Sequence, residues 1–287
     1  MAGVTDIPFR RQAKAFGGQY CVSEMVASDQ LARARIDMVR RAAGAGVISP
    51  LVIQLAGRDP EWMAEGARLA EAAGADVIDI NMGCPSKSVT SGLCGSALMR
   101  EPDHAMRLVE ATVNATKLPV TLKMRLGWDH NSLNAADMAK CAEDAGVRML
   151  TVHGRTRQQF FRGAAADARR ALELSGAAGV MIGRAAQGRP WLPAAIERAL
   201  KRGGEICPPS RARLLESLLT LCDDTLAFYD GALGVRVARK HIAWMIDSEF
   251  GAAARAIRKQ ICMLEDPRRV REALIQLFDD ESDRAAA

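Results

Sequence analysis

The sequence predicts an α/β chain: a TIM-type (β/α)8 barrel, incomplete at six recognisable strands, followed by an all-helical C-terminal domain. Three observations carry this prediction. Short apolar runs alternate with Ala/Leu/Glu/Arg-rich segments at helical spacing, a polar residue lies at or just beyond the C-terminal end of each run, and the alternation stops after Gly203-Gly204.

The apolar runs are Tyr20–Val26, Leu51–Leu55, Val77–Asn81, Val120–Met124, Met149–Val152 and Val180–Ile182. Between them lie helix-like stretches such as Pro60–Ala73, Ala135–Ala145 and Ala165–Leu174. The glycines of AAGAD, DAGVR and GAAGV stand just past three of these, where a left-handed C-cap is wanted. Strands that alternate with helices make a parallel sheet, and strands this apolar ask for cover on both faces. A barrel is preferred to an open sheet because Glu24, Gln54, Asn81, Lys123, His153 and Arg184 each fall at or just beyond the end of a different run. A (β/α)8 enzyme gathers its site at that end of the strands. No G-x-G-x-x-G follows a first strand, so a dinucleotide-binding open sheet has little support.

Six strands fall short of eight, and the gaps can be located. The chain opens at Met1-Ala2-Gly3 in loop-like sequence with no strand before it, and between His153 and Val180 there is room for only one helix. After Pro208-Pro209, Ser210 is placed to N-cap a long helix, and three or four helices are expected to the end. The expected domains are therefore 1–204 and 205–287.

Composition narrows the class. Of 287 residues, 49% are hydrophobic and 25% charged, the balance of a packed globule. No apolar run approaches the ~20 residues of a membrane span. The opening MAGVTDIPFR has neither a basic leader nor an apolar core, so the cytoplasm is the expected compartment and no membrane partner is expected. Seven cysteines without a C-x-x-C pair argue against a disulfide framework or a metal site. The net charge of +5 is unevenly spread. Residues 234–271 hold nine Lys/Arg against four Asp/Glu, which reads either as a nucleic-acid footprint or as an ordinary solvated helix face.

The most informative stretch is Asp79-Ile80-Asn81-Met82-Gly83-Cys84-Pro85-Ser86-Lys87. A strand ends on Asn81, and Gly83 and Pro85 hold Cys84 in a loop at the strand's C-terminal end. A thiol with an ordinary pKa near ~8.5 is mostly protonated at neutral pH, so a general acid suits it better than a nucleophile, with no local Cys–His pairing in view. Lys123 in KMRLG and His153 in VHGRTR project from neighbouring strand ends and suit an electron-rich heteroaromatic ligand. Gly183-Arg184 lies where such barrels hold phosphate, although Gly179–Arg189 also reads as a simple strand-to-helix turn.

MAGVTDIPFR, QLAG at Gln54–Gly57, DINMGCPSK at Asp79–Lys87, KMRLGW at Lys123–Trp128, VHGRTRQQ at Val152–Gln159, GVMIGRAAQGRPW at Gly179–Trp191 and GVRVARKHIAW at Gly234–Trp244 together resemble the bacterial tRNA-dihydrouridine synthases. The resemblance covers nearly the whole chain. It implies FMN at the barrel mouth, NADPH as reductant, and reduction of a tRNA uridine with Cys84 protonating C5. It further implies Met1, Gln54, Lys123 and His153 at the flavin, Gly183 and Arg184 at its phosphate, and Asn81 and Arg155 at the substrate. The basic helical segment with Arg236, Arg239 and Lys240 would then meet the tRNA backbone. A stacked uridine cannot reach a flavin, so the base would be turned out into the pocket.

Two departures stand beside the resemblance. Family members carry an opening strand ending in APM, of which only Met1 remains, and a helix and strand ending in N-G-D. Here Gly163 runs almost directly into Ala164–Asp167 instead. An open or distorted barrel with weak FMN retention is the corresponding expectation, and a degenerate paralogue that binds tRNA without flavin chemistry is the alternative. A third reading, a flavin oxidoreductase acting on a small molecule, leaves the GCP loop and the basic tail unexplained.

Overall fold

A computed structural model describes residues 1–159 and 168–286. The first part of the chain runs α1 (Ile7–Ala15), β1 (Val22–Ala27), α2 (Ser28–Ala32), α3 (Ile36–Ala42), β2 (Val52–Ala56), α4 (Pro60–Ala72), β3 (Val77–Met82), α5 (Lys87–Thr90) and α6 (Pro102–Asn114). It continues through β4 (Val120–Arg125), α7 (Ala135–Asp144), β5 (Met149–His153) and α8 (Ala168–Ser175). The remainder is helical: α9 (Leu192–Arg202), α10 (Arg211–Phe228), α11 (Gly231–Phe250), α12 (Arg255–Met263) and α13 (Pro267–Ala286).

Among the described residues five strands form one sheet in the order β1-β2-β3-β4-β5, every neighbouring pair parallel. Parallel strands in chain order with intervening helices fit an incomplete (β/α) barrel. Local chemistry supports the helix ends: the Asp59 carboxylate accepts from the Glu61 and Trp62 amides ahead of α4, with Pro60 in its first turn. Gly74 and Gly146 take the left-handed conformation expected of them just past α4 and α7.

Five of the six expected strands form. Val180–Ile182 is not a strand: among the described residues it has no neighbour to pair with, and a run of three residues cannot satisfy its backbone without a ladder. The junction at Gly163–Asp167 lies outside the described residues.

Both faces of the central strands are covered as expected, one by apolar and the other by polar side chains. Ile53, Leu55, Ile78, Ile80, Met82, Leu122 and Met124 face one way into a single cluster with Met63, Ala67, Ala70, Ala105, Leu108 and Val109 of α4 and α6. Their alternate neighbours Gln54, Asp79, Asn81, Thr121, Lys123 and Arg125 point to the other face, as the two-residue strand period requires. The burial fades at β5, where Met149 is 40% and Val152 44% exposed.

By packing, the chain divides into two compact units. The first comprises Met1–Ile7 and Tyr20–Met181; the second comprises Pro8–Gln19 and Ile182–Ala287. The division by packing falls at Met181/Ile182, and most of α1 belongs with the later helices. Phe9 stacks on His241 of α11 with ring centroids 5.6 Å apart. Gln12 accepts from Ser217 at 2.9 Å, and Arg11 pairs with Asp224 at 2.7 Å. Among the described residues of 205–287, α10–α13 bury Leu214, Leu218, Leu221, Val237, Ile242, Met245, Ile246, Ile261, Leu274, Leu277 and Phe278. Ser210 caps α10, accepting from the Arg213 amide, and a two-residue link at Tyr229-Asp230 returns the chain into α11.

The contrast between the sheet's centre and its β5 edge makes a direct prediction. Leu122→Ala is expected to cost about 2–5 kcal/mol, as a buried core truncation does, and Val152→Ala under about 1 kcal/mol. Urea unfolding of the two variants checks this, and equal costs would contradict the burial gradient.

Candidate active site

The polar face of the sheet is organised in rungs set by register. Gln54, Asp79 and Thr121 are side by side on β2, β3 and β4; Asn81 pairs with Lys123 one rung nearer the C-terminal ends; Arg125 pairs with His153 at the rim. Each rung is two residues from the next, so the same alternation that buries the apolar face stacks these side chains above one another.

On the lowest rung Asp79, 2% exposed, accepts from Gln54 Nε2 at 2.6 Å and from Thr121 Oγ1 at 2.6 Å. Burial raises its pKa from 3.8 to about 6, against the lowering effects of those two hydrogen bonds and the Lys123 charge. Tyr20 is pushed up to about 12 by burial, its bond to Thr121 acting the other way and the Asp79 charge adding to the rise. Lys123 is lowered by burial, and the Asp79 charge restores part of the loss. No hydrogen bond or ion pair holds the Lys123 ammonium among the described residues. A partly buried ammonium in that state suits a ligand that presents acceptor atoms.

One rung higher, Asn81 Nδ2 donates to Gln54 Oε1 at 2.7 Å, and Asn81 Oδ1 accepts from the amides of Gly83 and Cys84 at 3.2 and 3.0 Å. The carbonyls of this loop are held as well. Arg125 Nε donates to Gly83 O at 2.7 Å, while Ser96 donates its amide and hydroxyl to Cys84 O at 3.0 and 2.9 Å. Gly95 makes the close approach possible: its φ is +59°, and a Cβ there would lie 2.8 Å from Cys84 O. Both peptide groups flanking Cys84 are therefore fixed, and its side chain is half-buried beside them.

At the rim, Arg125 also donates through Nη1 to Thr156 O at 2.9 Å, which joins the ends of β4 and β5. Burial lowers Arg125 to about 10. His153 Nε2 lies 3.2 Å from Arg155 Nη1, and because a guanidinium only donates, that nitrogen accepts and the ring carries its proton on Nδ1. Trp128 is flanked by Arg100 and Arg157, whose guanidinium carbons are 4.9 and 4.8 Å from its ring centroid.

Of the residues singled out in the sequence, the first unit brings together Gln54, Asn81, Cys84, Lys123, His153 and Arg155. Met1 is in the same unit, its carbonyl accepting from Val4 and Thr5. Gly183, Arg184, Arg236, Arg239 and Lys240 belong to the second unit. Arg184 opens a short 3-10 turn. Arg236 is exposed on α11, whereas Arg239 donates to Leu264 O at 3.0 Å and so also ties α11 to the α12–α13 link. Two residues on from Arg239, burial pushes His241 down to about 3, with Lys240 adding to the effect. Sequence reading passed over Asp79, Thr121, Arg125 and Ser96. For the first three a signal exists: polar residues two apart inside otherwise apolar strands, Asp79 with Asn81 and Thr121 with Lys123 and Arg125. Ser96 has none. Among the described residues no group of three His, Cys, Asp or Glu could hold a metal ion, and no helix is long and apolar enough to cross a membrane.

A family model described as dihydrouridine synthase matches residues 1–168 and 163–282. The chain is 47% identical to a probable tRNA-dihydrouridine synthase of Rhodobacter capsulatus, over 93% of this chain and 89% of that protein. It is 43% identical to one of Rhizobium leguminosarum bv. phaseoli, over 97% and 93%. It is 41% identical to tRNA-dihydrouridine synthase B of Xanthomonas campestris pv. campestris, over 85% and 81%. The Rhizobium alignment runs over 304 positions, more than the 287 residues here, so that relative carries residues this chain lacks.

Asp79 supplies a pH test of the buried rung. Its folded-state pKa near 6 lies above the ordinary 3.8, so folding favours the protonated form. That contribution is present in full below the unfolded value and is lost as the pH rises through about 6. Asp79→Asn removes it. Relative to the parent chain, the variant should gain up to about 3 kcal/mol in unfolding free energy between about pH 4 and about pH 7. Parallel pH–stability profiles for the two proteins would contradict the assignment.

Proposed function

The chain belongs to the dihydrouridine synthase family, and on that premise we propose that it reduces uridine in tRNA to 5,6-dihydrouridine, with FMN as cofactor, NADPH as reductant and Cys84 as general acid. The single observation that carries this reading is the fixed Cys84 loop close to Lys123, whose ammonium has no hydrogen-bond or ion-pair partner among the described residues.

The residues present fit the ring of a flavin. Lys123 would offer a half-buried cation to its acceptor atoms, Gln54 on β2 and His153 on β5 belong to the same sheet, and Gly183 and Arg184 are proposed for its phosphate. When bound, a reduced flavin supplies the hydride that adds to C6 of the uracil. Cys84 gives its thiol proton to C5, so hydride and proton together account for the two hydrogens gained. Asn81 and Arg155 are proposed to hold the base, and exclusion of water follows from burial of the rungs beneath. Arg236, Arg239 and Lys240 are proposed to meet tRNA phosphates, and the cytoplasm is the proposed compartment.

A second reading, a paralogue that binds tRNA without flavin chemistry, is favoured by one observation: Val180–Ile182, expected as the strand leading to the phosphate contacts, is not part of the sheet. The two readings separate on a spectrum, since a purified chain that retains flavin absorbance excludes the second.

Cys84→Ala is expected to leave folding and FMN binding unchanged and to lower dihydrouridine formation on unmodified tRNA by at least about a hundredfold, the scale of a lost general acid. Turnover at the parent rate would remove Cys84 from the chemistry. Arg236→Glu, at an exposed position, should weaken tRNA binding and flatten the log–log salt dependence of the affinity by roughly one unit. An unchanged salt series would leave that helix face as ordinary solvated surface.

A further inference from the structure

We propose that Asp79 is a positioning residue for Cys84, acting through the side-chain amides of Gln54 and Asn81. The inference rests on the reading of Cys84 as proton donor and deepens it.

The hydrogen bonds form a chain with a fixed sense. Backbone N–H groups only donate, so the contacts of Gly83 N and Cys84 N oblige Asn81 to turn its oxygen to the loop. Its nitrogen then faces Gln54, and Asn81 Nδ2 donates to Gln54 Oε1 at 2.7 Å. Gln54 Nε2 in turn faces β3, where it needs an acceptor, and Asp79 Oδ2 supplies one at 2.6 Å. Thr121 Oγ1 holds the other carboxylate oxygen at 2.6 Å. Gln54, Asp79 and Thr121 are register partners, so the acceptor is fixed between two strands. A proton on Asp79 does not reverse the chain, because its O–H can turn to Thr121 while Oδ2 still accepts.

An apolar residue at position 79 would leave Gln54 Nε2 buried without an acceptor, and the amide would gain by rotating. Asn81 would then face a donor and lose its own orientation. Ser96 and Arg125 hold only the carbonyls of Cys84 and Gly83, so the N–H side of the Cys84 loop would be released.

The test uses the full chain and reads alkylation of Cys84 by iodoacetamide, peptide by peptide, with exposed Cys141 and Cys207 as internal standards. Asp79→Ala should speed Cys84 alkylation at least about fivefold and leave the standards unchanged. Asp79→Asn, which keeps an oxygen for Gln54 and offers Thr121 an N–H, should stay within about twofold of the parent. On an Asn81→Ala background the Asp79→Ala change should add nothing, since the link is already cut. If Asp79→Ala fails to fold, Gln54→Met cuts the same chain with an apolar side chain of similar size and should speed alkylation equally. An unchanged Cys84 rate, an Asn variant as damaging as Ala, or effects that multiply on the Asn81→Ala background would each overturn the proposal. Dihydrouridine formation by the parent chain separates the two failures. A parent that never reduces tRNA uridine refutes the functional reading while the alkylation pattern still supports the positioning. A parent that does so, with Cys84 indifferent to Asp79, refutes the positioning alone.

Discussion

Asn81 turns one side-chain oxygen towards two consecutive peptide N–H groups, and the rest of the site depends on that contact. It converts the end of β3 into a fixed platform, because the chain beyond Met82 would otherwise have no ladder to hold it. Arg125 and Ser96 then lock the carbonyls that the turn presents, and Gly95 leaves the space that their approach requires. The held backbone of such a loop limits where the Cys84 thiol can sit. That is what a proton donor to a bound ring needs, since misplacement by about an ångström costs orders of magnitude in rate.

The electrostatics of the polar face follow from its burial. A carboxylate, an ammonium and a guanidinium occupy successive rungs of one sheet face, and burial moves each towards its neutral form. The Asp79 charge offsets part of the lowering at Lys123, which has no hydrogen-bonding partner of its own among the described residues. Such an arrangement costs free energy, because a half-buried charge without a hydrogen-bonding partner is only partly compensated by a nearby opposite charge. A ligand with acceptor atoms would relieve it. The same alternation of strand residues produces both this polar face and the apolar face that packs on α4 and α6, so the site and the core share one structural cause.

Much of this was legible in the sequence, for local reasons. The five strands that form carry β-branched or apolar residues at a two-residue period, and their helices end at Gly74 and Gly146, where only a left-handed residue fits. Gln54, Asn81, Lys123 and His153 were identifiable because strand ends are where a parallel sheet presents side chains. What sequence could not carry depends on distant partners. Val180–Ile182 reads as a strand, yet pairing is a property of neighbours. α1 packs with helices some two hundred residues later in the chain through Phe9, Gln12 and Arg11, which no local pattern announces. Asp79 looks like part of an apolar run until its rung is assembled from three strands.

The central claim, that Cys84 and the strand-end cation serve flavin-dependent reduction of a tRNA base, is tested most directly by an anaerobic single turnover. Protein loaded with FMN and reduced by NADPH is mixed with unmodified tRNA, and flavin absorbance is followed. The account predicts that the oxidised flavin bands return only when unmodified tRNA is added, with one dihydrouridine formed for each flavin reoxidised. Reduced flavin that stays bound and unreactive in the presence of unmodified tRNA would contradict it.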